Sequence, residues 1–150
     1  MMSLEIDYKR EEYIMAQAGD SYTIILRRSH LQWGTYRHTN SRRRINGEGY
    51  IPIPKRYARL FNLLNRNGTT NGQDILGINI FNCSSADGYL NGVQLKSAGS
   101  RKGGSIYAKQ LQGNGDLKLL GRWFRHINAQ VGDQIRVMWT SPNDIIVERI

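Results

Sequence analysis

The chain has 150 residues, a formal net charge of +9 and a sequence pI near 10.0. Its hydrophobic fraction of 39% is too high for a disordered basic tail, and its length suits one domain with a core rather than two. No apolar run approaches the roughly 20 residues of a membrane-spanning helix, and the acidic start lacks the apolar core of a signal peptide. We therefore expect a cytoplasmic protein that uses no membrane and has an anionic partner; a soluble domain that is basic without functional reason is the alternative.

The first third of the chain predicts two strands on either side of a polar loop. Residues 1–20 form an extension of uncertain structure, because a strand-like alternation passes into a segment that a short helix would also suit. Ser21–Leu26 is rich in β-formers and predicts a strand. Gly49–Ile53 predicts a second, short strand, which Pro52 and Pro54 restrict to a sheet edge or a strand end.

The middle of the chain predicts a helix and three strands. Pro54 suits the first turn of a helix, and the apolar stripe that follows comprises Tyr57, Leu60, Phe61 and Leu64. Asn67–Gly68 is the predicted end of this helix, since glycine supplies a left-handed cap. The strands are predicted at Asp74–Cys83, Tyr89–Lys96 and Ile106–Gln110.

The last third predicts a second helix and a terminal hairpin. Asp116 is a good N-cap for a helix that continues to about Asn128, with a buried stripe of Leu120, Trp123, Phe124 and Ile127. Gln134–Trp139 alternates with the period of a half-buried strand, and Ile145–Ile150 is its hairpin partner. About seven strands and two short helices predict a mainly β, mostly antiparallel, barrel-like domain over residues 21–150.

The positive charge is concentrated in two windows that contain no carboxylate. The first, Ser21–Gly47, has six arginines, and the second, Gly88–Gly115, has one arginine and three lysines. Arginine forks fit both phosphate oxygens and the edge of guanine in the major groove of DNA. If the two windows converge in space, they form a clamp for a phosphate backbone.

Two elements of the sequence resemble the B3 pseudobarrel family, which includes plant B3 transcription factors and the DNA-recognition domains of some type II restriction endonucleases. Residues 50–56, YIPIPKR, resemble the family's strand, Ile-Pro and helix element. Residues 121–139 resemble its amphipathic helix, Gly-Asp turn and strand. The resemblance covers residues 21–150 and implies an open seven-stranded pseudobarrel in which two loops, the N-arm and the C-arm, embrace the major groove. Residues 68–105 contain no motif that aligns.

The first candidate DNA-binding set lies in the segment Gln32–Pro54. It comprises Gln32, Trp33, Tyr36, Arg37, His38, Asn40, Ser41, Arg42, Arg43, Arg44 and Asn46. The arginines are the strongest candidates, with a solvated charge run as the alternative. The asparagines and Ser41 are equally good turn residues, Trp33 is also a packing residue, and His38 is either a phosphate donor or a surface histidine without a role.

The second set lies around a glycine-rich loop. It comprises Lys96, Ser97, Ser100, Arg101, Lys102, Ser105 and Lys109. Glycines allow the backbone to approach DNA closely, although they also simply make a flexible loop.

Catalytic classes receive little support from the residue pattern. The three histidines have no metal-ligand spacing with each other or with Cys83, and no phosphate-binding P-loop motif occurs. Cys83 lies in an apolar run and is interpreted as a small buried hydrophobic residue. We therefore expect no cofactor, no metal and no catalytic residue. The expectation is a sequence-specific binder of double-stranded DNA that serves as the recognition module of a restriction system, with catalysis on a separate nuclease domain or subunit. The alternatives are a non-specific binder of RNA or another polyanion, and a small barrel with an unrecognised site.

Overall fold

A computed structural model describes residues 15–36, 43–65, 74–99 and 106–150. Its seven strands are β1 Ser21–Ile25, β2 Ile51–Pro52, β3 Ile80–Ser85, β4 Val93–Ala98, β5 Gln110–Gly113, β6 Gln134–Ser141 and β7 Asp144–Arg149. The helices of the described ranges are α1 Arg28–Leu31, α2 Trp33–Tyr36, α3 Lys55–Leu60 and α4 Leu119–His126.

The seven strands form one sheet in the order β1-β6-β7-β3-β4-β5-β2. Every ladder between these strands is antiparallel except the one between β3 and β7, which is parallel. The sheet curves until it is nearly closed into a barrel, with a seam between its two end strands, β1 and β2. The predicted mainly β pseudobarrel architecture is therefore confirmed.

The alternation of apolar and polar residues along each strand explains which side chains point into the barrel. In β6, Ile135, Val137 and Trp139 are completely buried, while the residues between them are at least partly exposed. Tyr22 and Ile24 are the buried pair of β1. This period-two alternation is the one expected of a sheet with a single core face, and it agrees with the sequence prediction.

Helix α4 packs against the barrel through a buried apolar face. Leu120, Trp123 and Phe124 are buried as predicted, and the Trp123 Nε1–H donates to Asp87 Oδ2 at 2.8 Å. Asp87 belongs to the turn between β3 and β4, so this hydrogen bond ties the helix to the barrel. Cys83 is buried as interpreted, and burial raises the pKa of its thiol to about 12, which keeps the sulfur protonated and unreactive.

The first predicted helix is shorter than its apolar stripe suggested. Helix α3 ends at Leu60, where Asn62 adopts a left-handed φ of 51° and the Leu63 N–H reaches back to the Ala58 carbonyl. This is a Schellman cap. Leu64 consequently lies outside the helix, in a bridge with Tyr107, and Leu60 is 63% exposed instead of buried. The predicted cap at Asn67–Gly68 lies outside the described residues.

Three predicted strands have shifted bounds. Residues 75–79 form a turn, so β3 begins only at Ile80, and β4 begins at Val93 rather than at Tyr89. The prediction of a strand at Ile106–Gln110 is wrong, since the regular pairing of β5 starts at Gln110. The apolar residues predict roughly where these strands lie. The first and last residue of each strand depend on hydrogen bonds to its neighbouring strands, which the sequence does not show.

The predicted N-terminal extension is described from Met15 onwards. Ala16 is buried in the core, and the Gly19 N–H donates to the Trp139 carbonyl at 2.9 Å. The segment just before β1 therefore continues along strand β6.

Candidate nucleic-acid interface

Two loops adjoin the edge strand β2. We call residues 37–50, between α2 and β2, the first loop, and residues 99–109, between β4 and β5, the second loop. Their central parts, 37–42 and 100–105, lie outside the described residues, whereas the returning limbs of both loops are described.

The returning limb of the first loop is fixed by backbone hydrogen bonds. The Trp33 N–H donates to the Glu48 carbonyl at 3.0 Å, and the Tyr50 N–H donates to the His30 carbonyl at 3.1 Å. Tyr50 also lies between the rings of His30 and Trp33, with centroid distances of 5.2 and 5.1 Å. These contacts hold the limb against α1 and α2, so the base of the loop is a defined structure.

Glycines permit the same limb to contact both neighbouring helices. A methyl group on Gly34 would collide with the Ile45 carbonyl oxygen, and one on Gly121 would collide with the Gly47 carbonyl oxygen. Gly49 is packed against Gly121 as well, at 3.1 Å from the position its own Cβ would take. The first loop is thus seated on α4 by backbone-to-backbone contact.

The second loop returns beside β2 and α3. The Asn65 N–H donates to the Ile106 carbonyl at 2.7 Å, and the Ala108 N–H donates to the Leu63 carbonyl at 2.8 Å. Lys109 is a junction, because its N–H donates to the Ala98 carbonyl while its own carbonyl accepts from the Ile53 N–H, both at 2.8 Å.

The two loops therefore flank one short stretch of backbone. Gly49 belongs to the first loop, and Ile53 is hydrogen-bonded to Lys109 of the second loop. Four residues of chain span at most about 14 Å. The major groove of B-DNA is about 12 Å wide, so the stretch from Gly49 to Ile53 is comparable in length to the width of a groove.

The described residues of the first candidate set are largely on the surface. Arg43, Arg44 and Asn46 are exposed, as is Gln32, and Trp33 is half-buried against Tyr50. Trp33 therefore has the packing contact that the sequence left as one of its two interpretations. Arg37, His38, Asn40, Ser41, Arg42 and the Tyr36 side chain lie outside the described residues.

The second candidate set divides between surface and interior. Lys109 is exposed, and Lys96 is half-buried on β4 opposite Ile80 and Gln112. Ser97 is completely buried, and its hydroxyl donates to the Leu64 carbonyl at 2.8 Å. Ser97 is consequently a core residue in this structure and cannot contact DNA directly. Ser100, Arg101, Lys102 and Ser105 lie outside the described residues.

Helix α3 carries basic residues that the sequence analysis did not select. Lys55, Arg56 and Arg59 are exposed, and the Arg59 guanidinium lies 5.9 Å from the centre of the Tyr107 ring, on the returning limb of the second loop. A sequence signal was present: no carboxylate occurs between Glu48 and Asp74. The apolar stripe of the same segment predicts a purely structural helix and gives no sign that its cations are exposed next to the second loop.

Burial removes the only carboxylate of residues 21–73 from the surface. Residues 21–73 contain ten lysines and arginines and one carboxylate, Glu48, whose exposed fraction is 2%. The other charged side chains of this segment are all lysine or arginine. Such a surface raises the local concentration of anions.

Arginines elsewhere on the barrel are paired with carboxylates. Arg122 pairs with Asp116, Arg136 with Glu148, and Arg149 lies 3.5 Å from Asp133.

The basic residues near the loops differ. Within the described ranges, Arg44, Lys109 and Arg125 form no ion pair. Their charges are therefore available to an external anion.

One titratable group lies under the first loop. His30 is 8% exposed, and its Nδ1 accepts a hydrogen bond from the Arg27 N–H at 2.9 Å. Burial, and then the neighbouring Arg27 charge, lower the pKa of His30 to about 4. The ring is therefore neutral at pH 7 and acts as a helix cap, not as a phosphate-binding cation.

The comparisons with known proteins give no family. No family model matches the chain, and no curated protein or solved structure matches it. The resemblance to B3 domains therefore rests on the two sequence elements. Among the described residues, no helix is long and apolar enough to cross a membrane, and no three His, Cys, Asp or Glu side chains are grouped as a metal site would require.

Proposed function

We propose that this chain binds double-stranded DNA sequence-specifically, through the first and second loops, in the major groove. The observation that carries the proposal is the arrangement of two basic loops next to strand β2, joined by about 14 Å of backbone. Their one carboxylate, Glu48, is buried. A rigid barrel holds the bases of both loops, so the arginines are presented from a fixed scaffold rather than from a disordered tail.

The roles of the basic residues follow from their chemistry. In protein–DNA complexes most hydrogen bonds go to phosphate and sugar, and a minority read base edges. Arg37, Arg42, Arg43 and Arg44 have the forked donors that suit both guanine and phosphate, while Lys109 presents a point charge suited to phosphate. The exposed cations of α3 extend the same surface along the DNA backbone.

The biological context that we propose is recognition for a restriction system. The YIPIPKR element and the helix-turn-strand element at residues 121–139 support this through their resemblance to the recognition domains of type II restriction endonucleases. In this proposal the chain selects the site, and a nuclease domain or subunit cleaves the DNA.

A selection from a library of random duplexes tests sequence specificity. We expect recovery of a short consensus that binds at least about a thousandfold more tightly than random duplex at the same salt concentration. Equal retention of all duplexes, or preferential retention of RNA, would favour the polyanion-binding alternative instead.

Arginine variants test the proposed surface. The triple variant Arg42→Ala, Arg43→Ala and Arg44→Ala should weaken duplex binding and flatten the dependence of log K on log salt by about 0.9 for each phosphate that is no longer neutralised. The matched control replaces Arg122, Arg136 and Arg149, which also removes three positive charges, but from arginines paired with carboxylates. An equal loss in both triple variants would show that net charge, and not the first loop, drives binding.

A further inference from the structure

A groove lies between the base of the first loop and helix α4. Its volume is about 640 Å³, and one wall is formed by Gln32, Thr35 and Asn46. Pockets that hold small ligands have volumes of about 300–1,000 Å³, so the groove is large enough for one.

The opposite wall is a single face of α4 and its cap. Gly121, Phe124, Arg125 and Asn128 line the groove at helical spacing. Phe124 is a buried core residue, so the apolar floor is rigid, and the polar wall is formed by the exposed Arg125 and by Asn128. The groove thus combines an apolar floor with polar walls, as ligand sites commonly do.

The polar groups of the groove match the chemistry of a nucleotide. The Gln32 and Asn46 side chains make no hydrogen bond within the described ranges, and each amide offers both a donor and an acceptor. Such amides can pair with the edge of a base. Arg125 offers only donors and has no carboxylate partner in the described part of the chain, which suits a phosphate.

The Arg125 side chain is positioned by the loop itself. Its Nη1 lies 3.4 Å from the point that a Cβ of Gly47 would occupy, and Gly47 has a φ of +87°. Glycine adopts this φ readily, and the distance is one of ordinary van der Waals contact. The guanidinium therefore lies directly beside the base of the first loop.

We infer that this groove binds a single nucleotide unit, with the phosphate on Arg125 and the base edge on the Gln32, Asn46 and Asn128 side chains. Asn128 takes part through its amide N–H groups, because its Oδ1 accepts a hydrogen bond from Gln130 Nε2 at 3.2 Å. The inference deepens the proposed function and rests on it: the preferred source is a nucleotide of the bound DNA that has left the base stack beside the first loop. A free mononucleotide has the same chemistry and is the second source.

The test uses the full chain, its selected duplex and four free deoxynucleoside monophosphates. Duplexes carry the fluorescent base 2-aminopurine at each position of the site in turn, and free nucleotides are titrated by calorimetry. The variants are Arg125→Ala and Asn128→Gly, the second because Asn128 has a left-handed φ of 51° that glycine adopts without strain. The control, Arg122→Ala, removes the same charge from the same helix at a residue that does not line the groove.

For a nucleotide supplied by DNA, we expect fluorescence to rise at one position when the wild-type chain or the Arg122→Ala variant binds. Both groove variants should lose this rise, and Arg125→Ala should bind the duplex at least about fivefold more weakly. For a free nucleotide, we expect saturable calorimetric binding that both groove variants abolish, without a fluorescence rise.

Two further results separate this inference from the proposed function. If the wild-type chain binds its duplex, but neither fluorescence nor calorimetry detects a nucleotide, the groove inference is overturned and DNA binding stands. If the chain binds no duplex, the proposed function fails, and the calorimetric arm alone supports or overturns the groove site.

Discussion

Gly121 of helix α4 packs on the backbone of Gly47 so closely that a methyl group on Gly121 would overlap the Gly47 carbonyl oxygen. This contact joins the longest helix of the described ranges to the base of the first loop. The stability of the core and the placement of a proposed DNA-binding surface therefore depend on the same pair of residues.

The variant Gly121→Ala should destabilise the protein in spite of the better helix propensity of alanine. Alanine gains up to about 1 kcal/mol within a helix, while overpacking against backbone costs about 1–3 kcal/mol. We expect a net loss in the free energy of unfolding, measured by urea denaturation, and weaker duplex binding because the loop is displaced. Unchanged stability would show that the loop limb can move away from α4 at no cost.

Within the described residues, the buried hydroxyl of Tyr22 makes no hydrogen bond, and neither does Trp139 Nε1. Burying a hydroxyl without a partner is unfavourable. The variant Tyr22→Phe should therefore be neutral or more stable by up to about 1 kcal/mol. The Tyr50 hydroxyl bonds with Ser29, so Tyr50→Phe should instead lose about 0.5–1.5 kcal/mol. Thermal unfolding of the two variants compares them directly, and a clear loss in Tyr22→Phe would contradict this expectation.

The neutral His30 should make stability depend on acid. Because its pKa in the folded protein is about 4 and its ordinary value is 6.5, the unfolded chain binds a proton first as the pH falls. The contribution of neutral His30 to the free energy of unfolding is complete above pH 6.5. It is lost progressively towards pH 4, by up to about 3 kcal/mol.

The variant His30→Asn keeps an acceptor for the Arg27 N–H and removes the titration. Urea denaturation between pH 7 and pH 4 should show a flatter pH dependence for His30→Asn than for wild type. Parallel curves for His30→Asn and wild type would exclude His30 as the source of acid sensitivity.

Ser97 separates stability from DNA binding. Its hydroxyl bonds to the Leu64 carbonyl inside the barrel, so Ser97→Ala should lower the free energy of unfolding by about 1 kcal/mol. Under conditions where both proteins are fully folded, duplex affinity should be unchanged. A weaker duplex affinity in a fully folded Ser97→Ala protein would show that Ser97 contributes to DNA binding.

The exposed cations of α3 should contribute to DNA affinity without affecting folding. The double variant Lys55→Ala and Arg59→Ala removes two charges from the surface next to the second loop. We expect weaker duplex binding and a salt dependence of log K reduced by about 0.9 for each phosphate that these cations neutralise. The double variant Arg136→Ala and Arg149→Ala is the charge-matched control, and identical salt slopes for the control and the α3 variant would place α3 outside the interface.

Local pattern was enough to predict much of the architecture. The sequence predicts the buried face of β6 and the buried stripe of Leu120, Trp123 and Phe124 correctly. Side-chain spacing alone decides which face of a strand or helix is apolar. The two windows without carboxylates are also visible in the sequence, since the charge of a segment follows from its composition.

Other features depend on packing between distant segments. The end of α3 at Leu60 depends on a left-handed Asn62 and on the pairing of residues 63–65 with the second loop. Likewise, neither the burial of Ser97 nor that of Glu48 follows from its neighbours in the chain.

The amino-acid sequence alone specifies a basic β-domain with positive charge gathered in separate segments, because composition and period-two spacing are local quantities. The placement of two such segments beside β2, and the exposure of the α3 cations, are set by hydrogen bonds between residues distant in the chain. Pairing between distant segments produces no periodic pattern in the sequence, so it cannot be predicted from spacing. This pairing decides which charged residues lie on the same surface.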